Sequence, residues 1–582
     1  MLPELNLLPG ASPPTAQAAR LLVLASYLLL SMVPFAPWLS GRAVGDVGTL
    51  IALEVAAWIL VWGTFRRPAN FHWLLLPAFL LLPADAYLYR FYGRGVSAFH
   101  LSMVADTNPD ELLEFLGSKL WTMLAVTLLA FGWWLLVRRA ALRTSALDWN
   151  GRSRKWSLMG LALLGSVLAI EQPLASPNQL AIEETEIADI RPFGFLATAV
   201  EFAIDQHRLS SLGADSRGFR FGAHPRRAGL EPLVIVVVIG ESSRFDRWSL
   251  NGYGRDTNPL LRQERNLISA PDAVASASAT LLSVPVILSR RKALDTYKTG
   301  FREKSFIAAF REAGFRTWWL SNQLPSGKLD TPLSVFAKQA EVVQFLNLGG
   351  YHDLSSFDGI LKGPLRRALA DAAPHKLIVL HTLGNHWNYS HRYPAGFDRW
   401  QPSLSDIDDP DHTDRQLKHL ISNSYDNSVL YADWFLAQVI ASLKATGQPS
   451  AMIYVSDHGE NLHDRSCDYA LHGHNSQVDY HIPLLVWYSN AYASGYPQKV
   501  QMLRRNLFNH LSTENIFESV VDMGDVGYRG QRLDWSFASA RFQPHTRYVD
   551  SYGWADYDRA TFRGDCREVI DPNPLPRLSG RM

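Results

Sequence analysis

Cysteine is almost absent from this chain: 2 in 582 residues, Cys467 and Cys566. Two thiols cannot build a disulfide scaffold or a cysteine-rich zinc module. A surplus of one charge is missing too, since 56 basic and 55 acidic residues leave a net +1. Nucleic-acid binders carry a basic excess or stripe, so no nucleic-acid partner is expected. Internal repeats and low-complexity tracts are likewise missing. The mean hydropathy of −0.06 looks neutral, but the apolar residues crowd into the first third.

Five runs in that third approach the length needed to cross a bilayer, ~20 apolar residues. They are Leu21 to Leu39, Val47 to Phe65 (interrupted by Glu54), Phe71 to Tyr89 (carrying His72 and Asp85), Leu120 to Val137 and Trp156 to Ile170. The first reads as an anchor, because no small-residue cleavage pattern follows it. Arg138, Arg139, Arg143, Arg152, Arg154 and Lys155 lie between spans four and five, and Arg66 and Arg67 between spans two and three. Basic loops stay cytoplasmic, so the N-terminus is expected inside and the chain beyond the fifth span outside. The buried acids Glu54 and Asp85 also admit a second reading, a transport path through the membrane. The long loop between spans three and four contains Thr107 and Glu111, four apart and on one face of any helix formed there.

From Glu171 to about Gly229 the composition turns polar, and Pro192-Phe193-Gly194-Phe195-Leu196 with the Ala-rich segment after it is patterned as an amphipathic helix lying on the membrane. Beyond it, Leu233 to Ile239 is a continuous β-branched run of the kind buried on both sheet faces. Similar runs recur at Arg316 to Leu320, Lys376 to Leu380, Met452 to Val455 and Ile482 to Trp487, alternating with helical patterns such as Phe301 to Ala313 and Gln416 to Leu443. That alternation predicts a mostly parallel α/β sheet.

Ligands of such sheets sit at the carboxyl ends of the strands. The residues there are Gly240-Glu241-Ser242-Ser243-Arg244, His381-Thr382-Leu383-Gly384-Asn385-His386 and Ser456-Asp457-His458-Gly459-Glu460, with His472 preceding the last strand. Carboxylates and imidazoles from several strand tips suit Zn²⁺. The small, hydroxyl-rich segment Ala275 to Pro285 turns apolar at a helix start, where a hydroxyl near a cation becomes a workable nucleophile. Composition does not choose among Ser276, Ser278 and Thr280.

Taken together, Gly240 to Arg244, Ser249 to Pro259, Thr280-Leu281-Leu282-Ser283-Val284-Pro285, Gly384-Asn385-His386, Asn423-Ser424-Tyr425-Asp426-Asn427 and Ser456 to Glu460 resemble the motifs of bacterial phosphoethanolamine transferases. These are membrane-anchored members of the alkaline phosphatase superfamily. The resemblance implies a five-helix transmembrane domain (1–172), a membrane-surface linker (173–230) and an external α/β/α alkaline-phosphatase-like domain (231–582) with a mostly parallel sheet. It implies one zinc ion held by Glu241, Thr280, Asp457 and His458, with Thr280 as nucleophile. His386 and His472 match positions that bind substrate phosphate or a second zinc, and Asn322 and Lys328 match pocket residues. Thr107 and Glu111 match the loop lining the donor headgroup site. The implied reaction moves phosphoethanolamine from phosphatidylethanolamine to a lipopolysaccharide or other glycan acceptor on the periplasmic face of the inner membrane. Ser276 and Val286 stand where the lipid A branch carries cysteines, and at most one disulfide, Cys467 to Cys566, can form. The chain therefore looks closer to the branch modifying the lipopolysaccharide core or another glycan. A glycerol-phosphate transferase resembling lipoteichoic acid synthases and a phosphodiesterase are the alternatives. Sulfatase chemistry is excluded, because neither cysteine has a Pro two positions on, and Ser283-Val284-Pro285 is followed by Ile287 rather than Arg.

Overall fold

The computed structural model describes residues 16–40, 47–92, 95–97, 100–101, 119–171, 190–214, 216–227, 231–295, 301–325, 331–349, 356–407, 410–551 and 553–575. The chain divides into two compact units, Met1–Leu101 with Asn108–Ala203, and Ser102–Thr107 with Ile204–Met582.

The first unit is helical. Val47–Phe65, Pro68–Tyr89 and Trp121–Arg143 are long and apolar enough to cross a membrane. The run expected at Leu21 to Leu39 divides into the α-helix Ala16–Ser31 and the 3₁₀ stretch Val33–Ser40. Pro34 and Pro37 account for the change, since neither ring allows an α-helical hydrogen bond. The fifth run lies within the helix Arg152–Glu171, whose first turns carry Arg152, Arg154 and Lys155. Arg154 donates to the Gly63 carbonyl at 2.7 Å. A Cβ at Gly63 would sit 2.9 Å from Leu158 Cδ2, so these two helices touch where a side chain is missing. Inside the unit, Tyr27 and His72 share a hydrogen bond of 3.0 Å. The outward positions remain apolar, Leu128 and Leu129 among them, as expected of surfaces that meet lipid.

The two acids that suggested a transport path have a structural use. Arg191 Nε lies 3.0 Å from Asp85 Oδ2, with both side chains buried, and the Arg191 amide donates to Glu54 Oε1 at 3.0 Å. Asp85 Oδ1 also accepts from the Val96 amide at 2.7 Å.

The second unit is built on seven strands: β1 (Leu233–Gly240), β2 (Leu267–Ser269), β3 (Arg316–Ser321), β4 (Val342–Phe345), β5 (His375–His381), β6 (Ser450–Ser456) and β7 (Leu484–Tyr488). Their spatial order is β2-β7-β6-β1-β5-β3-β4. The pairs of β1 with β5 and β6, and of β3 with β4 and β5, are parallel. β7 runs antiparallel to β6 and β2, so the mostly parallel sheet read from the sequence is observed. β1 is central and fully buried. Leu233, Ile235, Val237 and Ile239 enter one core, while Val234, Val236 and Val238 enter the other, which is why the run lacks polar alternation. The 29-residue helix Lys418–Thr446 packs its buried face into the second core.

Candidate metal centre

Three strands of this sheet deliver the site. Glu241 follows β1, Asp457 and His458 follow β6, and the segment Thr382 to His386 follows β5. Register brings them level, since Gly240 pairs with Ser456 and Ile239 with His381. Glu241, Asp457 and His458 are fully buried and offer ligand atoms that all lie within 4.8 Å of one another.

Thr280 opens the helix Thr280–Leu288 behind an extended Ala279. Its Oγ1 lies 3.3 and 3.2 Å from the two Glu241 carboxylate oxygens and 3.1 Å from His458 Nε2. Two neighbouring hydroxyls are committed elsewhere. Ser276 Oγ shares a hydrogen bond of 3.1 Å with Thr513, and Ser283 Oγ donates to the Asp457 carbonyl at 2.6 Å. Thr280 is the hydroxyl of this segment that lies against both Glu241 and His458.

The donor set suits a divalent cation. His458 Nδ1 is 2.7 Å from the Gly459 carbonyl, which leaves Nε2 facing the carboxylates, the arrangement that orients a metal-binding imidazole. Asp457 Oδ2 is buried with no hydrogen-bond partner. Burial and the nearby Glu241 charge push the Asp457 carboxyl up to about 7. Burial opposes ionisation of Glu241 as well, but the hydrogen bond and charge of His458 outweigh it and hold that carboxyl below its ordinary range. Burial alone would lower His458, yet the Asp457 and Glu241 charges push it up to about 10. Two carboxylates buried side by side demand a positive partner, and a zinc ion fits the mixed N and O set.

Three further elements close the site. His472 stacks near His458, with ring centroids 4.4 Å apart, and His386 lies 5.8 Å from His472 by the same measure. Burial pushes the His386 imidazole down to about 3, so it is neutral. Gly384 adopts φ +53°, and a Cβ there would lie 2.8 Å from the Glu241 backbone N and O. Only glycine tolerates both the left-handed conformation and that approach, which lets the Asn385 amide donate to the Glu241 carbonyl at 2.9 Å.

Asn322 is buried and donates to the Ser356 carbonyl at 2.8 Å and to Asp358 Oδ1 at 2.9 Å. Asp358 in turn accepts from the Leu383 and Gly384 amides, so Asn322 braces the histidine loop. Its neighbour Gln323, which sequence reasoning passed over, reaches the centre and donates to Glu241 Oε2 at 3.2 Å. Glu460, the last residue of the β6 strand-end motif, has its Oε2 3.4 Å from His472 Nδ1. The Asn423 to Asn427 motif works from below: Tyr425 OH donates to the Ser242 carbonyl at 2.6 Å and accepts from the Arg244 amide at 2.9 Å. Thr107, Glu111 and Lys328 lie outside the described residues. The single disulfide does form, between Cys467 and Cys566 with Cα atoms 4.8 Å apart.

Residues 234–525, half of the chain, match the sulfatase family model. The chain belongs to the sulfatase family. Within this sulfatase-family chain, 482 residues are 26% identical to phosphoethanolamine transferase EptC of Escherichia coli O18:K1:H7 (strain RS218 / NMEC), covering 79% of this chain and 81% of that one. Phosphoethanolamine transferase CptA of Salmonella typhimurium (strain LT2) is 25% identical over 484 residues, with the same two coverages. The crystal structure of the C-terminal periplasmic domain of EcEptC from Escherichia coli in complex with Zn superposes with a TM-score of 0.52 at 26% identity, covering 58% of this chain and 95% of that domain. The resemblance to phosphoethanolamine transferases carried by the Glu241, Thr280 and Asp457 motifs is therefore borne out over most of the chain.

Proposed function

We propose that this protein is a zinc-dependent phosphoethanolamine transferase acting on phosphatidylethanolamine, with an acceptor in the bacterial cell envelope. The observation that carries the reading is the position of Thr280 Oγ1, between the Glu241 carboxylate and His458 Nε2 at the start of a helix. The names of the relatives support the transferred group, and the zinc complex of the related domain supports the ion.

In the proposed reaction the Thr280 oxygen attacks the phosphorus of the lipid. An O–P bond to Thr280 forms, the P–O bond to glycerol breaks, and diacylglycerol leaves with a proton on its oxygen. An acceptor hydroxyl or phosphate then attacks the same phosphorus, takes the phosphoethanolamine group, and returns the Thr280 hydroxyl. Glu241, Asp457, His458 and Thr280 would hold zinc, which when bound neutralises the carboxylates and lowers the pKa of the Thr280 hydroxyl. His386 and His472 face the same space and would hold phosphoryl oxygens or a second ion that assists deprotonation of the acceptor. Gln323 keeps Glu241 oriented. The Leu281 amide at the helix start would supply a further donor to a phosphoryl group.

Five spans, a cytoplasmic N-terminus and a periplasmic catalytic domain complete the proposal, with boundaries at 1–172, 173–230 and 231–582. The apolar helices and the basic loops support it. The near-absence of cysteine supports a lipopolysaccharide-core or other glycan acceptor.

Tandem mass spectrometry of the purified full chain after incubation with phosphatidylethanolamine tests the reading. A phosphoethanolamine adduct on Thr280, within the tryptic peptide from Asn266 to Arg290, is expected and should vanish in Thr280→Ala while zinc content stays intact. An adduct on another residue refutes the nucleophile. A glycerol-phosphate adduct formed from phosphatidylglycerol instead would replace the donor.

A further inference from the structure

A second cleft of the catalytic unit, of about 360 Å³, is walled by three segments. Arg244 to Asp246 follow the end of β1, Asn461 and Asp464 follow the end of β6, and Asp565 to Arg567 belong to the C-terminal segment. The Cys467–Cys566 bridge joins the last two walls. That volume falls in the range that encloses a small ligand. Arg244 stands three residues beyond Glu241 and Asn461 three beyond His458. Their Cα atoms therefore lie within about 11 Å of those of the two site residues, and the cleft borders the metal centre.

The lining selects a class of ligand. Buried Arg244 donates from Nε and Nη2 to Asp246 at 2.8 and 2.7 Å and from Nη1 to Asp464 at 2.6 Å, so both carboxylates are fixed acceptors before a ligand arrives. Arg465 and Arg567 add donors and Asp565 a third carboxylate. Burial holds His481 below its ordinary range, so three basic and three acidic side chains balance. His481 stacks on the partly buried Phe245, with ring centroids 4.0 Å apart and planes 14° from parallel. Its Nε2 is buried with no hydrogen-bond partner. A flat apolar wall beside fixed acceptors and donors matches a sugar ring, whose C–H face lies on an aromatic ring while its hydroxyls donate to carboxylates and accept from guanidinium groups. A polyanion would meet the three aspartates, and an acyl chain would leave the charged groups without partners.

We infer that this cleft binds a neutral sugar ring of the glycan acceptor, an assignment that rests on the transferase reading for the role of that glycan. Phe245 is the platform, and Asp246, Asp464 and Arg465 read the hydroxyls.

Calorimetric titration of the zinc-loaded full chain with dephosphorylated core oligosaccharide from bacterial lipopolysaccharide tests it. The detergent carries no sugar head, and phosphatidylethanolamine is left out. Saturable binding is expected. Phe245→Ala should raise Kd about tenfold, whereas Phe245→Trp, which keeps a ring face, should stay within about twofold of wild type. Arg465→Gln alters a side chain that is 70% exposed, leaves the fold in place, and should raise Kd about fivefold. Absence of saturable binding overturns the inference, as does binding that ignores both Phe245→Ala and Arg465→Gln. Displacement of the oligosaccharide by ethanolamine also overturns it and assigns the cleft to a cation. With the donor absent, binding and transfer are read separately: a chain that binds the oligosaccharide but forms no adduct on Thr280 keeps the sugar site and loses the transferase reading.

Discussion

Replacing both cysteines, Cys467→Ser/Cys566→Ser, is a quantitative test of how the catalytic unit is held together. The bond closes a loop of 99 residues, and releasing a loop of that size returns about 4.7 kcal/mol of chain entropy to the unfolded state at 25 °C. A unit of roughly 380 residues unfolds with an entropy of about 0.8 kcal/mol per kelvin, so Tm should fall by about 6 °C. The loss should also reach the site. Beside the bond, the Val569 amide donates to the Asn475 carbonyl at 3.0 Å, and Asn475 Nδ2 donates back to Val569 O at 2.9 Å. The same C-terminal region donates from the Asp550 amide to the Ser276 carbonyl at 3.0 Å. It therefore braces both the segment carrying His472 and the segment leading to Thr280. Thermal unfolding of the full chain in detergent, with and without a reductant, reads the effect. Reduced wild type and the double variant should melt together, both below oxidised wild type, and turnover near the melting range should fall before zinc is lost. A Tm change under about 1 °C would refute the reasoning, because the hydrogen bonds around the bridge would then hold the segment without it.

Asp457→Asn removes the charge of a buried carboxylate whose Oδ2 has no hydrogen-bond partner and should weaken zinc binding by roughly a hundredfold or more, read by chelator competition; unchanged affinity would exclude Asp457 as a ligand. Gly384→Ala must either leave φ +53° or push on the Glu241 backbone, at a cost of about 1–3 kcal/mol, so zinc affinity and turnover should fall together, and a variant matching wild type in both would show that the histidine loop moves freely. Asp433 is buried and accepts from the Leu260 and Leu261 amides at 3.0 and 2.9 Å, and burial pushes its carboxyl up to about 7. Between its ordinary value and that one the native state keeps a proton that the unfolded chain has released, so stability falls as pH rises through the window. Asp433→Asn should flatten this dependence by on the order of 2–4 kcal/mol between pH 4 and 8, measured by denaturant unfolding; parallel pH profiles would place the titration elsewhere.

Much of the catalytic unit was legible along the chain because its information is local. β1 declares itself as a strand buried on both faces, since seven successive apolar residues leave no polar side. Parallel strands bring their carboxyl ends to one edge, so Glu241, the histidine loop and Asp457-His458 could be grouped before any contact was known. The helical third was legible for the same reason, although Pro34 and Pro37 shortened the first helix in a way that hydropathy does not register.

The sequence by itself thus determined the layering, the strand-end cluster and the motifs that relate this chain to phosphoethanolamine transferases. Tertiary structure decided whatever depends on residues far apart in the chain. Ser276, Ser278 and Thr280 are chemically similar, and only the approach of Glu241 and His458, 39 and 178 positions away, separates them. Of the neighbours Asn322 and Gln323, just past the end of β3, the second reaches Glu241 while the first turns to Asp358. Asp85 and Glu54 meet Arg191 across 106 and 137 residues, which turns an apparent transport path into a buried ion pair. Local pattern sets which element a residue occupies, and packing sets which residue it faces.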